Sequence, residues 1–84
     1  MAVFLEVVND LVTASLVLSE EAVNDLEFPE SEPVGQAFIA SLGIAGVWLQ
    51  TSPEGLYRGC YGGIGYTYNE TLGEYGEFVP PVIE

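Results

Sequence analysis

The 84-residue sequence contains no histidine and no lysine, one arginine and one cysteine. Each shortage removes a class of chemistry. Without histidine no side chain ordinarily titrates near neutrality, so general acid–base catalysis lacks its commonest agent. Cys60 has no second cysteine for an internal disulfide and no histidine to build a zinc site or activate a thiol nucleophile. It reads instead as a small buried residue of a protein made in a reducing cytosol. A single arginine, Arg58, cannot neutralise a row of phosphates, so direct nucleic-acid binding is not expected and an anionic membrane surface is disfavoured. Long apolar runs are also missing. The stretch from Ala2 to Leu5 is cut by Glu6 and Asp10 and follows no basic segment, which argues against a signal peptide or a membrane span.

What remains is acid and hydrophobe. Thirteen acidic residues against one base give a net charge of −12, while 49% of the residues are hydrophobic. That apolar fraction argues for a folded core despite the charge. A chain of this length makes one domain, 1–84, near the lower limit for an independent core, so a partner or homo-oligomer formation would add useful stability. An acidic exterior confers solubility and is equally compatible with a basic partner, divalent cations or high salt.

Residues 1–18 read as a β-hairpin. Val3, Leu5 and Val7 alternate with Phe4, Glu6 and Val8, and Val12, Ala14, Leu16 and Leu18 alternate with Thr13, Ser15 and Val17. Between them Asn9-Asp10 tolerates the left-handed conformation of a tight primed turn. Residues 19–33 form an acidic connector carrying six of the thirteen acids. Ser19 can cap a short helical turn through Asp25 or Leu26, and Pro29 and Pro33 force an extended or turn passage from Phe28 to Glu32. A helix is expected over 34–43, with Val34, Ala37, Phe38, Ile39 and Leu42 as its core stripe and Gly43 as its stop. Trp48 joins Phe38 and Leu42 as an expected core residue.

The β region, 47–84, opens with a strand from Val47 to Thr51 and a turn at Ser52-Pro53-Glu54-Gly55. All five tyrosines, and seven of the ten glycines counted from Gly55 onward, lie in this last part. Strands are expected at Ile64–Tyr68 and Glu77–Val79, with a turn near Gly73–Gly76 and an end at Pro80-Pro81. The fold class is α+β: an N-terminal hairpin, one or two short helices and a Gly/Tyr-rich antiparallel β region.

Chemical motifs are few. The glycines of 59–65 lack the Lys-Ser/Thr of a phosphate loop and no helix pattern follows them. The acids from Asn24 to Glu32 do not match a calcium-binding loop, because prolines interrupt them and the central glycine is absent. Asn69-Glu70-Thr71 matches a glycosylation sequon without a secretory context. No catalytic, cofactor or metal site is therefore expected, and the chain reads as a non-enzyme. Tyrosine combines a large contact area with a polar tip, so Tyr57, Arg58, Tyr61, Tyr66 and Tyr68 form the candidate interface, the alternative being that the tyrosines merely cover the sheet.

The hairpin sequence from Phe4 to Leu18 is followed by Trp48-Leu49-Gln50-Thr51-Ser52, Arg58, Tyr61-Gly62-Gly63-Ile64-Gly65-Tyr66-Thr67-Tyr68 and Phe78-Val79-Pro80-Pro81. This series resembles small proteins of tailed phages, particularly those infecting cyanobacteria. The resemblance spans most of the chain. It departs from the pattern at Gly59 and Cys60, near which relatives often carry lysine, and many relatives continue beyond the Pro-Pro. It implies a phage protein made in the host cytoplasm and placed in the virion, as a capsid decoration, cement or tail-associated component whose partners are other phage structural proteins. Two further readings stay open: an acidic nucleic-acid mimic that inhibits a basic host protein, and a tail-fibre assembly chaperone.

Overall fold

In the computed structural model, which describes residues 2–59 and 61–81, the chain is an α+β fold built on one five-stranded antiparallel sheet. The elements in chain order are β1 (Ala2–Val8), β2 (Leu11–Leu18), a 3-10 turn (Glu21–Val23), α1 (Ser31–Ser41), β3 (Trp48–Thr51), β4 (Thr67–Asn69) and β5 (Glu77–Val79). Strand order is β3-β1-β2-β4-β5, which places the first strand next to the edge strand β3 and between two partners.

The expected hairpin forms as β1 and β2, with Asn9 at φ 52° and Asp10 at φ 63°, the pair of left-handed residues a two-residue primed turn requires. Its register is not uniform. Ala2 pairs with Leu18, Phe4 with Leu16 and Glu6 with Ala14, but Val7 pairs with Val12, so Thr13 is an extra residue in a β-bulge. The bulge turns Val12 to the face opposite Ala14, Leu16 and Leu18. The alternation of β2 therefore feeds two cores rather than one.

The first core contains Ala2, Phe4, Leu18, Val23, Ile39 and Trp48 under α1. The second contains Leu5, Val12 and Phe78, with Val7, Leu49, Tyr66 and Tyr68 packed around them. Central strand β1 is consequently buried on both faces over its first four residues. Full burial of a side chain such as Phe4, Leu5 or Ile39 stabilises the fold by roughly 1.5–3 kcal/mol.

The helix begins three residues earlier than its sequence pattern suggests, at Ser31, and ends at Ser41, with Gly43 at φ 81° beyond it. Of the extended or turn passage expected from Phe28 to Glu32, residues 28–30 form the turn and Ser31 and Glu32 already belong to the helix. Of the expected stripe Ile39 is buried as expected, but the rest of the inward face differs. Ser31, Gly35 and Ile39 face inward, whereas Phe38 is 37% and Leu42 55% exposed. The reason is distance: α1 lies so close to the sheet that a Cβ on Gly35 would stand 2.2 Å from Phe4 Cζ. Small residues must form that face, and the large apolar ones are displaced to its flanks.

Strand β3 matches its expected position to one residue, β5 matches fully, and β4 lies at Thr67–Asn69, so Ile64 is outside the strand and exposed. The 3-10 turn sits where a short helical turn was expected, and Ser19 Oγ accepts a hydrogen bond from Ala22 N at 3.4 Å. The expectation for Cys60 falls outside the described residues. Among the described residues no helix is long and apolar enough to cross a membrane.

Candidate functional site

The only cation of the sequence organises the region that carries the tyrosines. Arg58 is 7% exposed and forms an ion pair with Glu32 of α1. Its guanidinium is bidentate: Nη1 donates to Glu32 Oε2 and Nη2 to Glu32 Oε1 at 3.1 Å. Nη1 also donates to the Gln50 carbonyl at 2.7 Å, and Nε to the Tyr75 carbonyl at 3.1 Å. The Arg58 carbonyl in turn accepts from Phe78 N at 3.0 Å. One side chain thereby joins the helix start, the edge strand β3 and the C-terminal segment.

These bonds also close the outer edge of β3. Gln50 N donates to Glu32 Oε2 at 2.8 Å, Gln50 O accepts from Arg58, and Trp48 O accepts from Gln36 Nε2 at 2.7 Å. Glu32 and Gln36, one helical turn apart, present their polar ends to consecutive outward-facing residues of the strand. The edge is plugged by side chains and cannot recruit another strand. Ser31 Oγ donates to Gln50 Oε1 at 2.6 Å beneath them.

Above Arg58 lies an aromatic stack. Phe28 and Tyr57 are parallel at 3.8 Å between ring centroids, and Tyr75 meets Phe28 edge-on at 4.8 Å. The Arg58 guanidinium carbon is 5.2 Å from the Phe28 centroid. Burial holds the Tyr57 phenol above its ordinary pKa, opposed by the positive charge of Arg58 and by a hydrogen bond with Gln50. The stack forms part of a cleft of about 500 Å³ whose walls include Leu26, Leu56, Phe28 and Tyr57 together with the carboxylates of Glu20, Glu27 and Glu54. Leu56 is 76% exposed, so the cleft mouth offers apolar surface beside three acids. Apolar surface next to three acidic residues is chemically suited to the aliphatic stem and charged head of an arginine or lysine side chain.

The five residues expected as one interface do not form one patch. Tyr57 lines the cleft, and Arg58 is withdrawn beneath it as an internal hub, which corrects its placement on a contact surface. Tyr61 is exposed, with its carbonyl accepting from Thr51 Oγ1. Tyr66 and Tyr68 pack on the second core, and the Tyr68 hydroxyl donates to the Tyr75 carbonyl at 2.6 Å. Tyr68 also lines a second cleft of about 510 Å³ with Asp10 and Glu70. Sequence reasoning missed Phe28, Glu27 and Leu56 in the first cleft. The available signal was a leucine directly before an aromatic–arginine pair, with an isolated Phe-Pro in the acidic segment.

Within the acidic connector, Glu32 is turned inward and Val23 is buried. Among the described residues no cluster of three Asp, Glu or Cys side chains is arranged to hold a metal ion. No protein-family model, curated protein or solved structure matches the chain.

Proposed function

We propose that the chain is a protein–protein contact module of a phage particle, a capsid decoration, cement or tail-associated component that docks on a basic surface of another structural protein. The observation that carries the docking is the cleft in which Phe28, Tyr57 and Leu56 adjoin Glu20, Glu27 and Glu54. An apolar cleft lined by acidic residues recognises a partner arginine or lysine by packing of its aliphatic stem and ion pairing of its head. The remaining surface supports the same reading: with Arg58 buried in its own ion pair, the exterior is anionic and repels packaged nucleic acid. Many copies on a repetitive lattice turn a small contact into firm attachment. The phage assignment rests on the sequence resemblance.

Quantitative mass spectrometry of gradient-purified particles tests the reading. Copies in simple ratio to the major capsid protein establish decoration or cement, and a handful of copies place the chain at the neck or tail. Absence from the particle overturns the assignment. For the cleft itself, Glu27→Lys together with Leu56→Glu changes exposed groups only and should abolish attachment to particles lacking the protein. Undiminished attachment refutes the cleft as the docking site.

A further inference from the structure

The two long edges of the sheet's N-terminal half are treated differently. β3 is plugged by Glu32, Gln36 and Arg58. β2 is not. Its outer edge meets β4 only where Leu11 pairs with Thr67, with Val12 N donating to Tyr66 O and Gly65 N to Val12 O. Gly65, at φ 96°, then turns the chain away through the Gly63–Tyr66 turn. From Thr13 to Leu18 no strand lies beside β2 among the described residues. This open length reads Thr-Ala-Ser-Leu-Val-Leu: no charge, no proline and no glycine. Apart from the β-bulge at Thr13, which marks one end of this length, residues 14–18 carry neither the charge nor the proline that commonly guards a sheet edge. Val17 is 55% exposed, and Ile64, at the point where pairing stops, is 69% exposed.

We propose that this edge is a second binding site, distinct from the aromatic cleft, which accepts an extended peptide strand of a partner protein by β-augmentation. The partner strand has an apolar, alternating centre and lysine or arginine at both ends. Main-chain hydrogen bonds to residues 13–18 supply binding that does not depend on partner sequence, and the half-buried Ala14 and Leu16 reward apolar side chains on one face.

Charge identifies the ends. The neutral stretch is bracketed by Asp10 on one side and by the Glu20–Glu21 turn on the other. A second copy of this chain is the wrong occupant. Antiparallel self-pairing of 13–18 sets Thr13 against Leu18 and brings the acidic Glu20–Glu21 turn of each copy toward the Asp10 end of the other's edge. Like charges then meet at both ends of a dimer in which each chain already carries −12. A strand with basic ends reverses the sign of both contacts.

A fluorescent decapeptide of alternating valine and threonine, flanked by two lysines at each end, is the probe. Its anisotropy should report saturable binding to the full chain, and hydrogen exchange of the amides of residues 13–18 should slow on addition. Val17→Lys and Ser15→Lys alter exposed side chains at the edge and should each weaken binding at least about tenfold by placing positive charge against the basic peptide. Replacing the flanking lysines with glutamate, or two central residues with proline, should abolish binding. Equal binding of the proline peptide, or slowed exchange confined to the cleft residues Phe28 and Tyr57, overturns the edge site. Dimerisation of the chain alone at micromolar concentration, with the 13–18 amides protected, replaces the partner strand with a second copy and also overturns the proposal. The cleft variant Glu27→Lys/Leu56→Glu should still bind the probe, so the two sites fail independently.

Discussion

Removing the Arg58 guanidinium should be among the most damaging single changes available to this chain. In Arg58→Met the aliphatic stem is retained while the carbonyls of Gln50 and Tyr75 and the carboxylate of Glu32 each lose a charged donor. Breaking a buried pair by deleting one partner costs about 3–5 kcal/mol, and because the Glu32 side chain keeps 17% of its surface in water the lower end applies, about 3 kcal/mol. At roughly 0.05–0.15 kcal/mol per residue, a chain of 84 residues has about 4–13 kcal/mol in all. The substitution thus removes a quarter to most of the stability. Glu32→Met should cost a similar amount, because Arg58 is then left charged and buried. The double variant should lose less than the sum of the singles, by about 2–3 kcal/mol, since no unpaired charge remains. Urea unfolding followed by Trp48 fluorescence and by circular dichroism measures all three. With a slope near 1 kcal/mol per molar, each single should lower the midpoint by about 3 M. A single variant that loses less than about 1 kcal/mol, or singles that add, would refute the view of this pair as the hub.

Other perturbations follow from local geometry. Gly35→Ala should destabilise despite a better helix propensity: with Phe4 Cζ only 2.2 Å from the added Cβ, driving the ring aside costs about 2–3 kcal/mol against a gain of about 1, a net loss of about 1–2 kcal/mol visible in thermal unfolding. Asp10→Gly should stabilise by about 0.5–1 kcal/mol, because glycine adopts the left-handed turn conformation without strain; an unchanged or lower melting temperature contradicts it. Tyr57 has a raised folded-state pKa, so its contribution is complete below pH 10, its ordinary value, and is lost as pH rises through the folded value. Ultraviolet absorbance titration of tyrosinate should therefore show a late-titrating portion that Tyr57→Phe reduces, the remainder belonging to Tyr75, whose phenol is also raised.

Much of the architecture was legible because it follows from short-range rules. Alternation around Asn9-Asp10 specified the hairpin, since period-two burial and a left-handed turn pair are both local properties. Glu77–Val79 and the strand from Trp48 were readable for the same reason. The helix was located but its inward face was not. Hydrophobic periodicity assumes that large apolar residues seek the core, whereas α1 approaches Phe4 so closely that Gly35 and Ser31 take the contact and Phe38 and Leu42 turn outward. The tyrosine segment was recognised as unusual, yet its members serve separate surfaces, because which loop tyrosine meets which core depends on how the glycine turns fold back over the sheet.

The sequence alone determined that the chain folds, that it is α+β, and that its exterior is acidic without histidine chemistry; composition and short-range periodicity suffice for these. Three things were decided only in the tertiary structure. Arg58, which charge counting left as a surface candidate, became the internal partner of Glu32, because a desolvated cation is tolerable only where a carboxylate and carbonyls converge. The bulge at Thr13 divided one alternating strand between two cores, a shift of backbone register that side-chain pattern does not encode. And the side chains of α1 closed one sheet edge while leaving the other open, since edge protection depends on which elements lie alongside a strand and not on the strand itself.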